Sequence, residues 1–188
     1  MTAFLVSCLV VALAEMGDKT QLIAFSLASR YRRPWTVMLG ILVATLANHA
    51  LASSLGAWAA TKLSEQALGW LLGLGFIAFG VWTLFPDTAA EPGQRGGWGP
   101  LVSTTVIFFL AEMGDKTQLA TVALGARFAS TVAVTAGTTL GMLAADGLAV
   151  FAGTRVPATL PLTLARRIAA ALFFLFGLTA ILRALAVF

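Results

Sequence analysis

Two copies of one short motif contain the residues of this sequence best suited to chemistry. The nine residues from Ala14 to Leu22 recur without change from Ala111 to Leu119, at an offset of 97. Each copy holds a glutamate, an aspartate and a lysine inside an apolar stretch. Carboxylates are hard oxygen ligands, which suit Ca²⁺, Mn²⁺ or Mg²⁺ and do not suit Cu⁺ or Zn²⁺. The predicted metal ligands are Glu15, Asp18, Glu112 and Asp115.

The other polar residues of the motif have predicted supporting roles. Threonine and glutamine oxygens are candidate neutral ligands, while the two lysines offset charge. Four carboxylates and two ammonium groups leave a charge of minus two, which one divalent cation neutralises. Met16 and Met113 are either soft ligands that favour Mn²⁺ over Ca²⁺ or simple packing residues. The candidate additional ligands are Thr20, Gln21, Thr117 and Gln118, and the charge-balancing residues are Lys19 and Lys116.

The spacing within the motif is compatible with two local structures. In an intact helix, Glu15 and Asp18 share a face and Lys19 reaches Glu15 four residues away. Alternatively, Gly17 ends one half-helix and Asp18 caps the next, with Gln21 as its capping partner. A structural role is also open, in which glutamate–lysine ion pairs fix helix register. That role leaves the two aspartates without partners.

Composition decides the class of protein. The chain has 188 residues, of which 59% are hydrophobic and 11% are charged, and its mean hydropathy is +0.91. A soluble domain carries about 25% charged residues, so we exclude a soluble enzyme, a nucleic-acid-binding module and a disordered chain. A single cysteine, Cys8, and a single histidine, His49, exclude a disulfide framework, a cysteine-rich zinc site and an all-histidine metal site. No nucleophile–base pair is visible, so we do not expect an enzyme.

Six apolar stretches are long enough to span a bilayer as helices, which predicts an all-α polytopic membrane protein. Both motif glutamates fall near the middle of their stretches, where an ionised group must face other helices or water. Prolines lie between the stretches or at their edges. The stretches cover residues 2–29, 35–60, 67–85, 99–127, 130–153 and 162–187.

The repeat predicts the architecture. Each half contains three spans, and because three is odd, the second half enters the membrane from the opposite side. We therefore expect two inverted three-helix repeats, residues 1–85 and 99–188, joined by a linker at 86–98 within one membrane domain. Inverted repeats are common in transporters, with the substrate site near the midplane.

Loop charges predict the orientation. Seven arginines lie on one side and three basic residues on the other, so the first side is predicted to be cytoplasmic and both termini outside. The first group is Arg30, Arg32, Arg33, Arg95, Arg155, Arg166 and Arg167, and the second is Lys62, Arg127 and Arg183.

Two further polar residues fall inside predicted spans. Asp146 lies in the fifth span, and its counterpart at the repeat offset is His49 in the second. Both are candidates for proton transfer or for access to the site. An interhelical polar contact is the alternative role.

The doubled Glu-x-Gly-Asp-Lys-Thr motif, in the first and fourth spans, resembles the Gdt-type manganese/calcium transporter family, and the resemblance covers the whole chain. It implies divalent cation transport in exchange for protons, through Glu15, Asp18, Glu112 and Asp115. With no organelle-targeting extension or long acidic loop, the sequence resembles a bacterial member, placed in the inner (plasma) membrane. The resemblance does not decide between Mn²⁺ and Ca²⁺.

The expected mechanism is alternating access around one midplane site, by rocking of one repeat against the other. Four close carboxylates repel, so without metal some must carry protons, which metal entry displaces. In a bacterium this exports Mn²⁺. We expect no resident cofactor. The expected partners are a divalent metal ion, protons and the lipid bilayer, and not nucleic acid. The expected oligomeric state is a monomer or a homodimer. The alternative function is export of a small cationic solute such as a basic amino acid.

Overall fold

The structure is a computed structural model that describes residues 1–85, 98–153 and 162–186. Within these ranges every regular element is a helix. Apart from Trp98, the predicted linker lies outside the described residues, as do Arg95 and Arg155. The helices are α1 (Thr2–Glu15), α2 (Lys19–Tyr31), α3 (Pro34–Ala60), α4 (Glu65–Thr83), α5 (Pro100–Glu112), α6 (Lys116–Phe128), α7 (Thr131–Gly153) and α8 (Leu162–Ala186).

These eight helices correspond to the six predicted spans, because the first and fourth spans are each divided in two. Among the described residues, three segments are long and apolar enough to cross a membrane: α3, α4 and residues Thr131–Phe151 of α7. Helices α1 and α5 are apolar but shorter, since each ends at its motif glutamate. The all-helical membrane fold predicted from the sequence is therefore confirmed.

The ends of the helices follow from local sequence. Pro34 and Pro100 stand in the first turns of α3 and α5, where a missing backbone N–H costs nothing. The Ser64 side chain caps α4 by accepting a hydrogen bond from the backbone of Ala67. Helices α2 and α6 end at left-handed residues, Arg32 and Ala129, which are related by the repeat offset. The two halves therefore share their turns as well as their motif.

The two repeats are interlocked. Helix α1 packs on α7 as α5 packs on α3, and α2 packs on α7 as α6 packs on α3. The remaining large interfaces, α3 with α7 and α4 with α8, join equivalent helices of the two halves. This pairing has the two-fold pattern that the repeat predicts. All of the larger interfaces join different repeats, so the halves are not separate bundles.

Small residues bring the repeats into close contact. A Cβ atom at Gly137 would lie 2.4 Å from the carbonyl oxygen of Phe4, and one at Gly40 would lie 3.1 Å from that of Leu101. Both pairs are related by the offset of 97. Helices packed this closely gain dispersion energy that side chains would prevent, as is typical in membranes.

The outer surface and one helix end fit a bilayer orientation. Large apolar side chains such as Leu71 and Leu175 are exposed on α4 and α8, as a lipid-facing surface requires. At one end of the molecule, Glu65, Arg127 and Arg183 line a cavity of about 300 Å³. The loop charges predict that Arg127 and Arg183 lie on the same side of the membrane, and in the structure both line this cavity.

Candidate functional site

Both motif spans are broken rather than kinked. Met16 and Met113 have extended backbones, and Gly17 and Gly114 follow with φ of +87° and +78°. These positive angles favour glycine, because a Cβ atom would clash with the backbone. The chain therefore leaves each first half-helix directly after its glutamate, and the structure selects the break from the two possibilities that the spacing allowed.

The aspartate and glutamine of each motif close the break. Asp18 begins α2, and its side chain accepts a hydrogen bond of 2.6 Å from the backbone of Lys19. The Gln21 oxygen accepts a bond of 2.8 Å from the backbone of Gly17. The second copy repeats both contacts at 2.8 and 2.7 Å. The residues of those contacts are Asp115 with Lys116, and Gln118 with Gly114.

The glutamine amide groups connect each break to the opposite repeat. Gln21 donates to the carbonyl oxygen of Ala145 at 2.9 Å, and Gln118 donates to the side-chain oxygen of Asn48 at 3.3 Å. Positions 48 and 145 are related by the repeat offset. Because both glutamine oxygens accept backbone hydrogen bonds, these residues have a structural function here, and their role as ligands stays a prediction.

Ion pairs join the two motifs reciprocally. The Lys19 ammonium lies 3.2 Å from a carboxylate oxygen of Asp115, and the Lys116 ammonium lies 3.2 Å from one of Asp18. The Lys19 side chain is 27% exposed, whereas that of Lys116 is 2% exposed. The pairs are thus equal in length but unequal in access to the surroundings.

This pairing contradicts the structural alternative in which each lysine binds the glutamate of its own motif. That alternative assumed an intact helix, where Lys19 lies one turn from Glu15. The break after Glu15 redirects the following half-helix, so its lysine reaches the other repeat instead. The aspartates, predicted to lack partners in that alternative, are the residues that bind the lysines.

The two glutamates have different surroundings despite their identical motifs. Glu15 accepts hydrogen bonds from the Thr20 hydroxyl of its own repeat and the Thr117 hydroxyl of the other. Glu112 accepts no hydrogen bond from the described residues, and His49 Nε2 lies 3.8 Å from one of its carboxylate oxygens. One glutamate therefore takes both motif threonines, and the pseudo-symmetry is broken at this point.

Asp146 adds a fifth carboxylate to the cluster. It is fully buried in α7, and neither of its oxygens has a hydrogen-bond partner among the described residues. The preceding residue, Ala145, accepts the hydrogen bond from Gln21, which places Asp146 next to the first motif. Five of the chain's eight acidic residues are thus gathered in the interior, each at most 2% exposed. His49, at the equivalent position of α3, is equally buried.

The buried interior contains the four predicted carboxylate ligands and both motif threonines, while the two glutamine oxygens bind the backbone of the breaks. Met113 is 57% exposed, so its thioether does not point into the buried cluster, and Met16 is partly buried. In the described part of the chain, no three acidic, histidine or cysteine side chains are spaced to hold a metal ion together in this conformation. Each aspartate is instead paired with an ammonium group of the other repeat.

Comparison with known proteins identifies the family of this chain. A family model described as "Divalent cation/proton antiporter GDT1" matches residues 3–91 and 100–187. The chain belongs to this family. It is therefore a membrane transporter of the divalent cation/proton antiporter class, as the doubled motif indicated. The first matched segment extends beyond the predicted first repeat into the predicted linker, and the second lies within the predicted second repeat.

Relatives within the GDT1 family cover almost the whole chain. A protein of Vibrio cholerae serotype O1 named "Putative manganese exporter" is 45% identical over 95% of this chain and 90% of its own length. A GDT1-like protein of Synechocystis is 31% identical over 94% of the chain and 95% of its own length. A GDT1-like protein of Oryza sativa is 27% identical over 94% and 72%. No solved structure matches the chain.

Proposed function

We propose that this protein exports Mn²⁺ across a bacterial plasma membrane in exchange for protons, with both termini outside. The observation that carries the proposal is the meeting of the two acidic motifs through the pairs Lys19–Asp115 and Lys116–Asp18. Hard oxygen ligands gathered in the interior favour Mn²⁺ or Ca²⁺ over soft metals. The Vibrio cholerae relative, named for manganese export, favours Mn²⁺ as the main cargo.

The proposed metal ligands are Glu15, Asp18, Glu112 and Asp115. Glu112 offers two buried oxygens that accept no hydrogen bond from the described residues, which suits a carboxylate that binds a cation. The two aspartates become ligands when their lysines move away. The candidate neutral ligands Thr20 and Thr117 already lie at the Glu15 carboxylate, within the same buried space.

Charge balance suggests how many protons are exchanged. With Asp146 included, five carboxylates and two ammonium groups give a charge of minus three when all are ionised. A buried cluster is costly unless its net charge is close to zero. Neutrality then needs three protons without metal and one proton with a divalent cation. We assign two protons to each metal ion, which makes the exchange electroneutral.

The interlocked repeats favour local motion over the rocking of whole repeats. Since the large interfaces join different halves, neither half can move as a rigid body without breaking most of its contacts. The breaks at Gly17 and Gly114 are the places where a half-helix can turn with little change elsewhere. We assign alternating access to the half-helices α1, α2, α5 and α6.

Transport by purified protein in liposomes tests this function. A pH gradient should drive uptake of Mn²⁺, and the rate should not change when the membrane potential is altered with potassium and valinomycin. Asp18→Asn and Asp115→Asn should abolish uptake, whereas Glu65→Gln, an exposed acid outside the cluster, should retain it. Equal uptake with and without the gradient would disprove the coupling to protons.

Two further outcomes separate the rival functions. Unchanged uptake in both aspartate variants would disprove the assignment of the site. Exchange of arginine or lysine, with no flux of Mn²⁺, would instead support the exporter of a small cationic solute.

A further inference from the structure

The lysine–aspartate pairs have features that a purely structural ion pair does not need. Each lysine follows directly after an aspartate, yet it pairs with the aspartate of the other repeat. Both aspartates are buried, and both are candidate ligands of the transported cation. An ammonium group therefore occupies each of two acids that a metal ion would need.

We propose that Lys19 and Lys116 are tethered cations that occupy Asp115 and Asp18 while the metal is absent, and that the metal displaces them. The inference rests on the function proposed above, because it requires that these aspartates bind cargo. Each ammonium group carries one positive charge and is covalently attached to the chain. It can therefore neutralise an aspartate and cannot be released from the protein as the cargo is. Each lysine leaves its aspartate but stays beside the cluster, so the charge count given above includes both ammonium groups with and without metal.

This role follows from the energetics of buried charge. A buried carboxylate without a counter-charge destabilises the fold, so an empty transporter needs a replacement for its cargo. Two cross-repeat pairs supply that replacement and also hold the two motifs together. The cargo must compete with both ammonium groups, which selects divalent ions over monovalent ones, because a doubly charged ion gains more from four carboxylates.

The two lysines are suited to different steps. Lys19 is partly exposed, so it has space to leave Asp115 when a metal ion arrives. Lys116 is almost fully enclosed, so its departure from Asp18 needs movement of a half-helix. We therefore assign the first displacement to Lys19 and the second to the conformational change.

Metal affinity distinguishes a tethered cation from a structural one. Lys19→Gln removes a competitor, so it should tighten Mn²⁺ binding by roughly tenfold, and Lys116→Gln should do so by more. A lysine that only positions its aspartate would have the opposite effect, because its loss would weaken binding. Lys19→Arg keeps the charge and should stay within about twofold of wild type. Lys62→Gln, the same change at the one lysine outside the two motifs, is the matched control.

Displacement itself is tested by chemical labelling of the full protein in detergent. With an amine-reactive reagent, Lys19 should label slowly without metal and several times faster when Mn²⁺ is bound, while Lys62 should not change. The maximal rate of transport should be lower in Lys19→Gln, because the variant lacks the ammonium group that competes with the metal ion and so speeds its release.

The possible results separate the inference from the proposed function. Wild-type protein that binds no Mn²⁺ would disprove the proposed function. Wild-type binding combined with weaker or unchanged affinity in both glutamine variants would overturn the inference alone. Tighter binding with no change in Lys19 labelling would also overturn it, since the lysine would then repel the metal from a distance without being displaced. If Lys116→Gln fails to fold, the Lys19 variants and the labelling decide.

Discussion

Replacing Gly114 by alanine tests whether backbone geometry maintains the break beside the site. A Cβ atom at Gly114 would meet no atom of the surrounding residues within 4 Å, so the substitution strains only the local backbone, where φ is +78°. A non-glycine residue in this region costs about 1–2 kcal/mol. Gly75 is the matched control, because its Cβ position is equally open and it lies inside the regular helix α4. There alanine should stabilise the helix by about 0.5–1 kcal/mol.

The two variants should therefore differ by about 1.5–3 kcal/mol in the free energy of unfolding, or roughly tenfold to more than a hundredfold in the equilibrium constant. Reversible unfolding in mixed micelles, by titration with a denaturing detergent, measures this difference. Transport in liposomes should fall in Gly114→Ala and stay normal in Gly75→Ala. Equal free energies of unfolding in the two variants would refute the reasoning, because strain would then not distinguish the break from a helix.

Two other substitutions test the interior of the cluster. Thr117→Val removes the hydroxyl that donates a hydrogen bond to Glu15 of the other repeat, so it should lower the free energy of unfolding by about 1–3 kcal/mol. Thr117→Ser keeps a hydroxyl and should retain most of that stability. Asp146→Asn should retain exchange of Mn²⁺ for Mn²⁺ across liposomes but lose accumulation driven by a pH gradient. Loss of the exchange as well would place Asp146 among the metal ligands instead of the proton carriers.

Much of the fold was predictable because the signals were strong. Apolar stretches of spanning length predicted the helices, and the nine-residue identity predicted that the two halves would share a site. The break was one of two allowed structures, since Gly17 and Asp18 are also acceptable in a kinked helix. Tertiary packing decides between a kinked and a broken helix, and the spacing of residues in the sequence contains no information about that packing.

The pairing of charges was not predictable from spacing. An intact helix places Lys19 beside Glu15, and only the broken chain directs it to Asp115. The different surroundings of Glu15 and Glu112 were equally hidden, because their motifs are identical letter for letter. The residues that indicate this difference lie outside the motif: His49 and Asp146 occupy equivalent positions of the two repeats and differ in charge. A comparison of the halves outside the motif would have predicted that the two glutamates are not equivalent.

The interlocked halves also constrain the order of events during synthesis. Lys116, the cation that neutralises Asp18, is translated 98 residues after it. At ribosomal speeds of about 5–20 residues per second, this delay lasts roughly 5–20 s. During that interval the nascent first half has neither this counter-ion nor the α7 surface on which α1 packs. We therefore expect the amino-terminal spans to stay close to the insertion machinery until the carboxy-terminal spans are inserted. The two halves then complete their packing together, late in synthesis and cooperatively.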